Sequence, residues 1–388
     1  MLDQTDFDKG APAPLTDEAG RHVLDDALLP VMTLRESAIS NNIAVLAGFA
    51  SAHGLLMAPH MKTHMAPALA ARQLEAGAWG VTVASVQQAR VAWESGIDHL
   101  IVANEVLDPA GLRWLAALRS PDVLVYVDSL YGVEAIRAAV TDADDLRVLI
   151  DVGWAGGRAG VRSLDEVRVL AHALRDIPGV TLRGISGYEG GLSSVDLARA
   201  YVRGALEAYN TLVGEKLLPA ASVLSMGGSA YFDVVADVLA ARHPETTVLL
   251  RSGAYITHDD GSYARKGPYT RIDGQLIAAI DVWARVTSTP EPGLAIVAMG
   301  KRDAPYDEGM PVAKFLVRDG VTTKLDDTVT VTRMDDQHGY LAVDGIELVP
   351  GDVIRFGISH PCTAFDKWRL IPVVDDAGLV VDVLPTYF

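Results

Sequence analysis

The sequence predicts an α/β protein, a (β/α)8 TIM barrel followed by an all-β C-terminal domain. Between residues 30 and 260 short apolar runs alternate with longer amphipathic stretches. That is the texture of strands buried on both faces, each followed by a helix. The runs number roughly eight in about 220 residues, the count and length of a closed barrel. An open doubly wound sheet shows the same alternation, and the strand count favours the barrel. After about residue 270 helical stretches nearly vanish, and short strand-like runs between turns take over. The expected organisation is an N-terminal segment over 1–25, a barrel over 26–268 and a β domain over 269–388.

In chain order, the barrel strands read LLMAPH (55–60), GVTVAS (80–85), HLIVAN (99–104), VLVYVDS (123–129), LRVLIDVG (146–153), LRGISGY (182–188), SVLSMGG (222–228) and TVLLRSG (247–253). Helices are expected at MAPALAARQLEAG (65–77), SVQQARVAWESG (85–96), SLDEVRVLAHALRD (163–176) and SVDLARAYVRGALEAYNTLV (194–213). Several open on Ser or Pro and close on Gly, residues that suit the two ends of a helix. In the β domain the strands read QLIAAIDVWARVTS, LAIVAMG, TVTVTRM, GYLAVDG, DVIRFGIS, RLIPVV and LVVDVLP.

Composition narrows the function. The 388 residues are 49% hydrophobic and 21% charged, a soluble globular balance. A net charge of −17 argues against a nucleic acid or an anionic membrane as partner. No apolar run reaches the length of a membrane span. The opening MLDQTDFDKGAPAPLTDEAG has no signal-peptide core. A cytoplasmic protein is the expectation. Cys362 is the sole cysteine, so no internal disulfide can form.

Ligands bind at the C-terminal mouth of a barrel, so strand ends carry the candidate site. Lys62 in APHMKTHMAP (58–67) stands just past the first strand. A desolvated lysine there suits Schiff-base chemistry with an aldehyde, and a surface loop lysine is the bland alternative. His60 and His64 add polarity or are structural. Gly227, Gly228 and Ser229 in SMGGSAYFD follow the seventh strand and precede a helix, a place where backbone N–H groups hold phosphate. A plain tight turn fits them too. Gly253 and Tyr255 in RSGAY can complete that cup. Arg158 in DVGWAGGRAGVR lies in a glycine-rich loop after the fifth strand, placed to meet an anionic oxygen or to form a surface ion pair. If DVIRFGISHPC is one strand, His360 and Cys362 project to one side and can share a divalent ion. For a lone H-x-C, a buried small cysteine beside an unrelated histidine is the commoner reading. Asp366 and His338 are further candidate contacts.

Together APHMKTH, GGRAGVR, SMGGS, RSGAY and SHPC resemble the fold-type III pyridoxal-phosphate (PLP) enzymes of the D-threonine aldolase and D-serine dehydratase family. That family joins an alanine racemase-like barrel to a β domain. The resemblance runs from about residue 25 to the C-terminus, and P-H-x-K-T-H with the late H-x-C are its most specific parts. It implies that Lys62 binds PLP covalently and that Arg158 lies near a ring oxygen. It implies that Gly227, Gly228, Ser229, Gly253 and Tyr255 hold the phosphate and that Tyr188 in GYEGG lines the pocket. It implies that His360 and Cys362 bind a divalent metal, with zinc favoured by the thiolate and Mn or Mg as alternatives. Dehydratases of the family show His and Cys there and aldolases His and Asp, so Cys362 points to dehydration of a D-β-hydroxy amino acid to a keto acid and ammonia. Retro-aldol cleavage to glycine and an aldehyde is the alternative, followed by racemisation or non-catalytic PLP binding. The family also implies a homodimer. The TAFDKWR stretch after the pair matches neither branch.

Overall fold

The computed structural model describes residues 9–10, 20–120, 122–219 and 221–388. The chain divides into two compact units. One comprises Met1–Val45, Thr63–Ala68 and Ala254–Phe388, and the other Leu46–Lys62 and Leu69–Gly253.

Strand β1 (Val31–Arg35) belongs to the first of these. The second unit holds β2 (Leu56–Met57), β3 (Val81–Val83), β4 (Leu100–Glu105), β5 (Val123–Val127), β6 (Leu146–Val152), β7 (Val180–Gly187), β8 (Val223–Met226) and β9 (Thr247–Leu250). These strands pair in parallel in the order β2-β9-β8-β7-β6-β5-β4-β3. The ring closes beyond β2, where Trp79 N–H donates to Met57 O at 2.7 Å and Thr82 N–H to Pro59 O at 2.8 Å. All eight expected strands are therefore present, and they form a barrel and not an open sheet. Their apolar runs are explained by burial on both faces, and every residue of β5 is buried. Ala58, Ile101, Leu124, Tyr126, Leu149, Val223 and Leu249 form one buried apolar cluster.

Serine caps fix where the helices begin. Ser163 Oγ accepts the Glu166 N–H while Glu166 returns to the Ser163 N–H, a capping box at the start of the helix Leu164–Arg175. Ser85, Ser129 and Ser194 each accept one N–H from the first turn of the helix that follows.

The other unit is dominated by one sheet. It contains β10 (Ile280–Glu291), β11 (Leu294–Val297), β12 (Val312–Arg318), β13 (Val321–Lys324), β14 (Val329–Met334), β15 (Gly339–Val343), β16 (Val353–Gly357), β17 (Leu370–Val374) and β18 (Val380–Pro385). The main order is β13-β12-β16-β10-β1-β17-β18, with β11, β15 and β14 extending from β10. The all-β reading of the C-terminal region is met, and three strands lie outside the sequence expectation. β12 and β13 mix charged with apolar residues. β1 pairs antiparallel with β10 (Val31↔Trp283) and parallel with β17 (Leu34↔Val373), partners that no local window contains. Trp283 Nε1 donates to Thr33 Oγ1 at 3.0 Å and fixes that register. Among the described residues, no helix is long and apolar enough to cross a membrane.

Candidate active site

In the barrel, the expected residues gather where the strands end. Lys62 sits in the 3₁₀ turn Met61–Thr63 just past β2. Beside it, His60 is half-buried, and its Nδ1 is enclosed without a hydrogen-bond partner. Burial pushes the His60 imidazole well below its ordinary pKa, and Lys62, Arg251 and Arg158 push the same way. Three cations acting on one ring mark a region of positive potential. A Cβ at Gly253 would stand 2.5 Å from His60 Cβ, so only glycine lets the end of β9 pass this close.

The Arg158 loop is held from inside. Arg162 donates to the carbonyls of Gly157, Arg158, Ala159 and Gly160. Asp128 accepts the Gly160 N–H at 3.0 Å. Arg158 itself lies over the Tyr188 ring, 4.6 Å from its centroid. Tyr188 is set by its backbone. Its N–H donates to the Tyr201 oxygen at 2.9 Å, and its carbonyl accepts from Trp154 Nε1 at 3.3 Å. Asp151, Trp154, Arg158, Tyr188 and Gly191 border a cleft of ≈ 230 Å³. Sequence and structure thus bring Arg158 and Tyr188 together.

The glycine turn after β8 holds one surprise. Gly227 adopts φ +140, a conformation suited to glycine. The Gly228 N–H, expected to face phosphate, donates instead to Glu189 Oε1 at 2.6 Å. Glu189 is fully buried, and that burial raises its pKa. Ser229 follows at half exposure, ahead of the helix Phe232–Leu239. Tyr255 is buried in the 3₁₀ turn Ala254–Ile256 of the other unit.

Arg251 lies outside the sequence expectation, although RSGAY begins with it. It is buried and donates to Ser225 Oγ and to Gly187 O, each at 2.6 Å. Read alone, it looks like the last residue of a strand. The donor set fits PLP. Lys62 offers an amine for the aldehyde and the arginines balance anionic oxygens. A phosphate would lie against the backbone of Gly227, Ser229 and Gly253.

In the first unit, β16 ends at Gly357, short of the pair, so the expected strand does not reach Cys362. Pro361 opens a 3₁₀ turn, Pro361–Thr363. Past Gly357 the carbonyls of Ile358 and Ser359 accept the Asp260 and Ser262 N–H groups at 3.0 and 2.8 Å and so leave the ladder before Pro361 is reached. The turn still sets the two side chains face to face. His360 is half-buried, and burial alone would lower its pKa. The facing Cys362 and Asp307 outweigh that and push it up to about 9. Asp307 Oδ2 lies 2.7 Å from His360 Nδ1, and Thr363 Oγ1 donates to Asp307 Oδ1 at 3.0 Å. Cys362 Sγ lies 3.9 Å from Thr63 Oγ1. Imidazole with thiolate suits a divalent, borderline-soft cation.

The other suggested contacts do not join the pair. Asp366 lies 3.9 Å from Lys367 Nζ, and His338 is exposed in the turn before β15. His64 is buried, its Nδ1 accepting the Ala66 N–H at 3.0 Å. The TAFDKWR segment is an anchor. Phe365 and Trp368 are buried, and Trp368 Nε1 donates to Asp303 O at 3.1 Å. Lys9 Nζ lies 4.0 Å over the Trp368 ring and 2.6 Å from Asp303 Oδ1.

Known proteins are similar to this chain in sequence and fold. Residues 34–256 match the family model "Alanine racemase, N-terminal domain" and residues 279–374 match "Putative serine dehydratase domain". The chain is 28% identical over 366 residues to D-threonine aldolase of Arthrobacter sp, covering 91% of this chain and 90% of the relative. It is 27% identical over 252 residues to D-threo-3-hydroxyaspartate dehydratase of Delftia sp. (strain HT23), covering 61% and 64%. The crystal structure of D-threonine aldolase from Filomicrobium marinum is similar with a TM-score of 0.79 at 26% identity, covering 94% of this chain and 96% of that one. The alanine racemase model alone spans more than half of the residues, and the chain belongs to the alanine racemase-like family of the D-threonine aldolases and D-serine dehydratases.

Proposed function

We propose that the chain is a PLP- and metal-dependent lyase of D-β-hydroxy amino acids, dehydrating them to a 2-keto acid and ammonia. The observation that carries this reading is that the strand ends of the barrel carry a primary amine, Lys62, an arginine over a tyrosine ring, Arg158 on Tyr188, and a glycine turn at Gly227. PLP, held by Lys62, supplies an electron sink for charge at Cα, and a divalent ion on His360 and Cys362 supplies a Lewis acid for the β-oxygen.

The remaining chemistry belongs to the protein. Lys62 would take the proton at Cα as general base. Arg158 donates to an anionic oxygen. Gly227, Ser229 and Gly253 would seat the phosphate, and Tyr188 lines the cleft beneath Arg158. The pair of His360 with Cys362 favours the dehydratase reading, because the resemblance associates that pair with the dehydratases. Retro-aldol cleavage is the second reading, favoured by the longer match to D-threonine aldolase. It differs in that the proton is taken first from the β-hydroxyl and not from Cα.

The test is product analysis with the PLP- and metal-loaded protein on D-serine, D-threonine and D-threo-3-hydroxyaspartate. A keto acid with equimolar ammonia is expected. Glycine and an aldehyde would establish the second reading, and turnover of none of these would leave a binding protein. Lys62→Ala is expected to lose the visible absorbance of bound PLP, and its retention would mean that another residue holds the cofactor.

A further inference from the structure

We infer that Asp307 is the positioning residue of the metal pair: it fixes the proton of His360 on Nδ1 and leaves Nε2 as the ligand atom. The inference rests on the proposed metal role of His360 and Cys362. Asp307 lies in the loop between β11 and β12, and no motif points to it. The loop is tied at both ends. Lys301 N–H donates to Asp335 O at 2.9 Å, and Ser359 Oγ donates to Gly309 O at 2.6 Å. The carboxylate is thereby delivered to a set place.

Both of its oxygens are engaged. Oδ2 stands 2.7 Å from His360 Nδ1, and Oδ1 accepts from Thr363 Oγ1 at 3.0 Å. An ionised carboxylate can only accept, so Nδ1 donates. A neutral imidazole with its proton on Nδ1 carries its lone pair on Nε2. The same contact orients the ring and makes Nε2 more basic, as carboxylates do behind metal-bound histidines. Thr363 follows Cys362 directly, so one carboxylate steadies the turn that bears both ligands. Use of both oxygens within the protein argues against Asp307 as a third ligand. The unassigned TAFDKWR stretch takes part here, because it begins with Thr363.

The experiment is a Co(II) titration of the PLP-loaded, metal-stripped full chain, followed by the thiolate-to-cobalt charge-transfer band. Asp307→Asn is expected to keep the band shape at saturation, the circular dichroism and the PLP absorbance, while its midpoint weakens about 10–100-fold. Asp307→Glu should recover part of that loss. Thr363→Val, which removes only the brace on Oδ1, should give a smaller shift. A midpoint unchanged in Asp307→Asn would overturn the inference while the metal reading stands. A changed band shape at saturation would overturn it in favour of direct ligation. A wild-type protein without the band, or a His360→Ala variant that binds cobalt as the wild type does, would remove the metal reading, and the inference with it.

Discussion

Burial, and after it the neighbouring Glu105, push the Asp151 carboxyl from an ordinary value of 3.8 up to about 7. Between those values the folded protein holds a proton that the unfolded chain has lost. Stability therefore falls as pH rises through that window and levels off above it. Asp151→Asn removes the titration. Relative to wild type, the variant should show little change in urea midpoint at pH 4 and a growing gain towards pH 8. A difference independent of pH would show that Asp151 ionises freely. Other residues show how far single positions can be read in advance. Lys62, Arg158 and His360 stand out because each lies in a short motif of unusual composition. Arg251, Glu189 and Asp307 do not, because what defines them is a partner distant in sequence. Arg251 meets Ser225 and Gly187, Glu189 meets Gly228, and Asp307 meets His360. A motif lists residues, and these roles are pairings.

The loop between β6 and the next helix shows the element scale. Gly160 adopts φ +93, and a Cβ there would stand 2.3 Å from the Gly153 backbone nitrogen. Gly160→Ala meets both strain and contact. We expect a loss of about 2 kcal/mol in urea unfolding. PLP affinity should weaken too, because Arg158 rides on this loop. An alanine variant with wild-type stability would mean the loop relaxes freely. Elements whose cause is local were legible. Barrel strands followed from burial on both faces, and helix starts from Ser85, Ser163 and Ser194. The end of β16 was not, because DVIRFGISHPC looks continuous, and what ends the strand is the bonding of Ile358 and Ser359 to Asp260 and Ser262, far off in sequence. β13 escaped for another reason. All four of its residues are exposed, so it has no apolar period to detect.

For the whole molecule the decisive feature is a sheet whose strands come from both ends of the chain. β1 lies between β10 and β17 and is buried at Val31, Met32, Thr33 and Leu34. A fragment of residues 269–388 lacks it. The edge of β10 would then be bare and the β17–β18 hairpin detached, so we expect no cooperative thermal transition from this fragment. Adding a peptide of residues 20–45 should restore one, and a cooperative transition from the fragment alone would show that β1 is dispensable.

The same strand sets a timetable for synthesis. Val31–Arg35 leaves the ribosome long before Leu370–Val374, which it must join. At about 5–20 residues per second the interval is on the order of tens of seconds. The barrel, encoded between them, can fold meanwhile. Until β10 emerges, an apolar strand hangs from the nascent chain with both edges unpaired, and the edge that meets β17 stays bare for about eighty residues more, a segment for chaperones to shield.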